Sequence, residues 1–202
     1  MSALFPTAAH ETARSVLSRL EESRRSGVAS AAPSRLHRFL MEQENDVRAG
    51  RAPNGLWFPH QDSKGLWTTG FGHLIGDGSS AQGEGGRFAL GITDKEVRDL
   101  LDRDVQDRGV TPAKRAVGAA RFDALPEWGK ALLTEFAYSL GPEFHKRDMS
   151  DGRKGFPSMT KAVLKGDFDK AVKEASDRTA GGVPLTRRTK ALVKMLEALR
   201  DE

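Results

Sequence analysis

Pro59-His60-Gln61-Asp62-Ser63-Lys64-Gly65-Leu66-Trp67-Thr68-Thr69-Gly70-Phe71-Gly72-His73 is the stretch on which the reading of the fold turns. Leu66, Trp67, Thr68, Thr69 and Phe71, with Trp57 and Phe58 just upstream, are strand formers. Ser63-Lys64-Gly65 between them is turn chemistry, so residues 54–75 predict a small hairpin. Gly70 and Gly72 sit inside an otherwise apolar strand pattern, which signals a bulge or a close approach of backbone.

Outward from the hairpin the pattern changes. Residues 76–91 read as glycine-rich loop, with a short strand expected at Arg87-Phe88-Ala89-Leu90. The loop lacks the Gly-Lys-Ser/Thr ending of a phosphate cradle. From Thr93 onward the periodicity is helical. Thr93 and Glu96 have the spacing of a capping box, and Val97, Leu100, Leu101 and Val105 form the buried stripe. Pro126 suits the first turn of another helix, which carries Trp128, Leu132, Phe136 and Leu140 and stops at Gly141-Pro142. Further helices are expected at 157–165, 167–177 and 186–200. Upstream, Ser34 is a good N-cap after Pro33, and Leu36, Phe39, Leu40 and Val47 mark one helix face.

Residues 1–33 read as an appendage. Ala9, Ala13, Val16, Leu17 and Leu20 recur at helical spacing, and Ser30-Ala31-Ala32-Pro33 resembles a linker. The helix is expected to pack back on the main domain at 34–202, with contact to a membrane or a partner as the alternative. The whole predicts an α+β protein, a small antiparallel β-hairpin lobe followed by a mostly α-helical lobe.

Composition narrows the function classes. With 202 residues the chain can bury a core without staples. It contains no cysteine, which excludes a disulfide scaffold, thiolate chemistry and cysteine-ligated zinc. No apolar run approaches the roughly 20 residues of a membrane span, and the N-terminus lacks the pattern of a secretory signal. A net charge of +4 suits an anionic partner. Arg24-Arg25 and Arg187-Arg188 are short clusters without interleaved aromatics, so nucleic acid is a poor fit.

Three features can carry chemistry. Glu44 falls on the apolar stripe four residues after Leu40, whereas Glu42 points to the other side. An apolar surrounding favours the neutral form of a carboxyl, as a general acid needs. The plainer reading is a Glu that turns outward or pairs with an Arg. Asp62, just before the turn, and Thr68, six residues on, share a hairpin. That spacing can bring carboxylate and hydroxyl to a common water, although Asp is also an ordinary turn residue. His73 is open to a catalytic, ligand or core role. His60, Asp62 and His73 do not have zinc spacing.

Taken together, Glu44 and the stretch from Pro59 to His73 resemble the phage lysozymes of glycoside hydrolase family 24, the T-even type. The family pattern, close to Pro-Tyr-x-Asp-x-x-Gly-x-x-Thr-x-Gly-x-Gly-His, fits from Asp62 to His73 without a gap. Ile92 to Val105 resembles the start of that family's long inter-lobe helix, and Phe136-Ala137-Tyr138-Ser139-Leu140-Gly141 its Phe-Ala-Phe-Asn-x-Gly segment. Gly155-Phe156-Pro157-Ser158 and Thr186-Arg187-Arg188 fill later positions. The chain departs from the family by a stretch at 49–56, read as an inserted loop, by His60 in place of Tyr, and by Ser139 in place of an amide.

The resemblance implies a lysozyme-like fold and a muramidase. Such an enzyme cuts the β-1,4 bond between N-acetylmuramic acid and N-acetylglucosamine in peptidoglycan, with inversion, for cell lysis or wall penetration by a phage. Glu44 would protonate the glycosidic oxygen, and Asp62 would activate a water held by Thr68. Tyr138, Ser139, Phe71 and Leu74 would line the sugar cleft. His73 and Asp104 would pair structurally, and Arg187 would pair with Glu44. Glu135 is another possible cleft carboxylate. Neither metal nor cofactor is implied. The partner is peptidoglycan, without nucleic acid or stable membrane insertion, and the protein is expected to be a monomer. It would wait in the host cytoplasm or travel in a phage particle. A lytic transglycosylase and a non-catalytic wall-binding or virion protein are the alternatives.

Overall fold

The computed structural model describes residues 34–45, 48–62, 64–76, 88–176, 179–180, 183–184 and 186–201. The helix and linker expected over 1–33, together with Val47, Ser63 and the loop residues 77–87, lie outside the described residues. The chain divides into two compact units, one comprising Val47–Leu100 and the other Pro33–Asp46 with Leu101–Glu202. It is α+β, with a small antiparallel sheet and a mostly helical body.

In the first unit the expected hairpin forms the first two strands of a three-stranded sheet, β1 (His60–Gln61), β2 (Trp67–Thr69) and β3 (His73–Gly76). His60 faces Thr68 and Gln61 faces Trp67. Thr68 in turn faces Leu74, and Thr69 faces His73. The sequence pattern placed Gly70 and Gly72 within a strand. They instead make the turn from β2 to β3, with φ of 58° and 80°. At Gly70 the expected close approach is real. A Cβ on Gly70 would lie 2.6 Å from Val97 Cγ1 on the helix α2 (Asp94–Asp104).

The short strand expected at Arg87-Phe88-Ala89-Leu90 is absent among the described residues. Phe88 is buried, and the Gly91 N–H donates to the Phe88 carbonyl at 2.9 Å, closing a turn that leads into α2. Trp57 and Ile92 exchange both backbone hydrogen bonds, at 2.8 and 2.9 Å. The Trp57 indole donates to Asp94 Oδ1 at 2.7 Å, and Arg51 Nη2 to Asp94 Oδ2 at 3.1 Å. The stretch read as an insertion is therefore fastened to the first residue of α2. The capping box that starts this helix is formed as its spacing predicts. The Thr93 N–H donates to Glu96 Oε2 at 2.7 Å, and the Glu96 N–H to Thr93 Oγ1 at 3.2 Å.

The second unit gathers α1 (Arg35–Glu44) onto a body of later helices. Ser34 caps α1 by accepting from the His37 N–H at 3.2 Å. The apolar stripe of the sequence fades after Val105, yet the chain stays helical. A π-helical stretch at Val105–Val110 leads to α3 (Thr111–Val117) and α4 (Ala119–Asp123). Gly109 lets a neighbouring helix pack close, because a Cβ there would meet Thr134 Cγ2 at 2.7 Å.

Thr134 belongs to α5 (Glu127–Leu140), whose residues from Ala131 to Tyr138 are all buried. The helix ends at Gly141, with φ of 93°, a conformation glycine adopts freely. Then follow α6 (Pro157–Leu164), α7 (Phe168–Ser176), the two-residue strands β4 (Thr179–Ala180) and β5 (Val183–Pro184), and α8 (Thr186–Arg200). The three late helices match the expected ranges to within a residue or so at each end. Leu192 and Leu196 of α8 are buried. No helix of the described residues is long and apolar enough to cross a membrane.

Candidate functional site

In the second unit a single guanidinium on one helix gathers side chains from two others. Glu44 is the last residue of α1, Glu135 and Ser139 stand one turn apart on α5, and Arg188 lies in the first turn of α8. Arg188 Nη1 donates to Glu44 Oε1 at 3.1 Å. Its Nε donates to Glu135 Oε1 at 3.0 Å, and its Nη2 to Ser139 Oγ at 2.8 Å. The Ser139 hydroxyl donates to the same Glu135 oxygen at 2.9 Å, which closes a ring of hydrogen bonds. The guanidinium also lies over the Phe39 ring, 5.6 Å from its centroid. Burial works to lower the basicity of Arg188, but the two carboxylates outweigh it and hold the group above its ordinary value.

Exposure grades across the ring. The Glu135 side chain is 0% exposed, Arg188 19% and Glu44 27%. Only Glu44 therefore offers much of a carboxyl to solvent. Beside it, Tyr138 is buried with its hydroxyl unpartnered among the described residues. Burial pushes its phenol up to about 12, with the charge of Glu44 acting the same way and Arg108 opposing. Arg108 stacks on the Tyr138 ring at 4.5 Å from the centroid.

Three expectations change here. A guanidinium on Glu44 belongs to Arg188, the neighbour of the residue expected there. Arg188 precedes the buried Leu192 and Leu196 by four and eight residues, so it shares their inward face. Arg187 stands about 100° round the helix. Glu135 is a wholly buried carboxylate and does not reach a cleft. Ser139, expected to meet sugar, has its hydroxyl committed to Glu135 and Arg188.

In the first unit Asp62 lies in the turn after β1, and Thr68 lies in β2. Asp62 Oδ1 accepts from the Lys64 N–H at 2.8 Å and the Leu66 N–H at 2.9 Å. These bonds hold the turn and fix the carboxylate plane, while Oδ2 takes no hydrogen bond among the described residues. Thr68 is buried, and its Oγ1 sits 3.4 Å from both the Nε2 and the carbonyl oxygen of His60. Because His60 pairs with Thr68 and Thr68 with Leu74, the three share a face of the sheet. Leu74 is 52% exposed there. Asp62 follows the last residue of β1 and opens the turn to β2. Phe71 turns inward instead and packs on Trp57, with ring centroids 5.2 Å apart. His73 opens β3 with its ring against Phe88, and Asp104 closes α2.

No family model and no curated protein matches this chain. Among solved structures, the chain is similar to the active form of P1 phage endolysin Lyz, with a TM-score of 0.53. The match covers 89% of this chain and 93% of that one, at 16% sequence identity. The fold is lysozyme-like. Identity this low carries the architecture alone, a small sheet and a helical body, and leaves the chemistry to the side chains.

Proposed function

We propose that this chain is a peptidoglycan hydrolase of the muramidase type. One observation carries the reading. Glu44 is a partly exposed carboxyl at a helix end, held in a fixed orientation by a guanidinium that two other side chains hold in turn. In this reading Glu44 protonates the departing glycosidic oxygen. Asp62, with its plane fixed by the turn, turns Oδ2 to a water that Thr68 helps to orient. The two carboxyls stand in contrasting settings, one beside a buried ion-pair ring and the other in a polar turn, as acid and base require. Inversion needs them about 6.5–9.5 Å apart, with room for that water. The basic net charge of +4 suits a wall polymer bearing peptide carboxylates. The protein acts as a monomer on the bacterial wall, reaching it from the host cytoplasm or within a phage particle.

The test is digestion of purified sacculi followed by mass spectrometry of the soluble products. Muropeptides with reducing ends are expected from the wild type. General acid–base catalysis contributes about 10²–10⁴-fold, so Glu44→Gln and Asp62→Asn should each lose at least about 10²-fold in rate. Full activity of Glu44→Gln would remove the assigned acid. Products ending in 1,6-anhydro sugar would replace hydrolysis with transglycosylation.

A further inference from the structure

Glu135 is a buried carboxylate that the proposed reaction does not use. An apolar residue would suit the inner face of α5 better than a charge, unless the charge has a task. We propose that Glu135 is a positioning residue for Glu44, acting through Arg188, with Ser139 completing the seat of the guanidinium. This rests on Glu44 as the reacting acid.

The geometry gives the argument in two steps. A guanidinium is planar, with its donors in a fixed fork. Glu135 takes the Nε donor at 3.0 Å and Ser139 takes an Nη2 donor at 2.8 Å, so α5 alone fixes the plane. The remaining edge then presents Nη1 to Glu44 at 3.1 Å, without the rotamer freedom of a loose Arg. The second step is charge. Glu135 and Glu44 lie on one guanidinium, so the negative charge of Glu135 opposes at Glu44 the potential of Arg188. Without the charge on Glu135 that opposition is lost, which favours the ionised form of Glu44, the form that cannot act as an acid. The phenol of Tyr138 on α5 also feels Glu44 and Arg188, with Arg108 and Asp104 acting on that phenol.

The experiment uses the full chain with carbonyl-labelled glutamate. The Glu44 side-chain carboxyl is titrated by NMR in wild type and in Glu135→Gln, which keeps the acceptor oxygen but loses the charge. Rates on soluble peptidoglycan fragments are measured across pH in parallel. Glu44 should titrate about one pH unit lower in the variant, a tenfold shift of its protonation equilibrium. The high-pH limb of the rate profile should move down with it, and kcat at neutral pH should fall about tenfold with KM within about twofold. Glu135→Asp, which keeps the charge, should return the titration towards wild type. An unchanged Glu44 titration in Glu135→Gln overturns the proposal.

Ser139→Ala keeps both charges and gives a second test if the Gln variant does not fold. Its Arg188 N–H protons should exchange faster with water, and unchanged exchange overturns the seat. A wild type that shows these couplings but releases no muropeptide keeps the positioning and overturns the muramidase reading instead.

Discussion

Replacing Gly70 by Ala tests the close approach that sets the turn after Thr68. Two costs follow from the structure. The backbone at Gly70 has φ of 58°, a left-handed conformation that costs an L-residue roughly 1–2 kcal/mol. The new methyl would also lie 2.6 Å from Val97 Cγ1. Overpacking of that kind costs about 1–3 kcal/mol. The sum is about 2–5 kcal/mol, and at roughly 2–4 °C per kcal/mol for a chain of this size the melting temperature should fall by about 4–20 °C. Gly65→Ala is the control. Its φ is 77° and nothing lies within 4 Å of a Cβ there, so only the backbone cost applies.

The difference between the two variants is then the packing alone. Denaturant melts of Gly70→Ala, Val97→Ala and the double variant complete the cycle. Val97→Ala by itself should cost about 2 kcal/mol for two buried methyl groups. In the double variant the added methyl enters the space Val97 vacates, so the costs should combine to less than their sum by about 1–3 kcal/mol. Equal losses in Gly70→Ala and Gly65→Ala, or strict additivity in the cycle, would refute the reasoning.

Arg188→Met should be severe, because it leaves Glu135 buried without its cation. A loss of about 3–5 kcal/mol is expected in chemical denaturation, and adding Glu135→Leu should recover much of it. The single tyrosine of the chain makes the phenol titration unambiguous. Phenolate absorbance should appear near pH 12 in the native protein and near the ordinary value of about 10 after unfolding. Because the folded value is the higher one, the stability linked to Tyr138 is complete below about pH 10 and is lost as pH rises towards 12. A native phenol titrating near 10 would contradict its burial.

The sequence was most legible where local chemistry decides structure. Thr93 with Glu96, Ser34, and the pair of Pro126 and Gly141 mark helix ends by their own hydrogen-bonding and backbone preferences, and the helices lie where these residues put them. Asp62 marked its turn in the same way. It was less legible where a distant partner decides. Gly70 and Gly72 announced a bulge or a close approach but not its partner, because Val97, which meets Gly70, lies on another element. Gly109 interrupts the helical stripe for the same reason, with Thr134 as its neighbour. In the candidate site, Glu44 could be picked out by its spacing from Leu40. Arg188 was not singled out for Glu44, although its spacing to Leu192 and Leu196 held the signal. The burial of Glu135 had no signal of its own, since a carboxylate on a helix is more often solvated.

The bond between Glu44 and Arg188 spans 144 residues of sequence. Between them the chain leaves the helical unit, builds the sheet unit from Val47–Leu100, and returns. Synthesis runs from one end, at about 5–20 residues per second. Helix α1 is therefore made early and must wait on the order of ten seconds, while the whole sheet unit is made, before Arg188 exists to meet it. The residue proposed to do the chemistry is the last to gain its setting. A growing chain thus carries Glu44 without its cation, and the arrangement proposed to react is completed only as α8 folds into place.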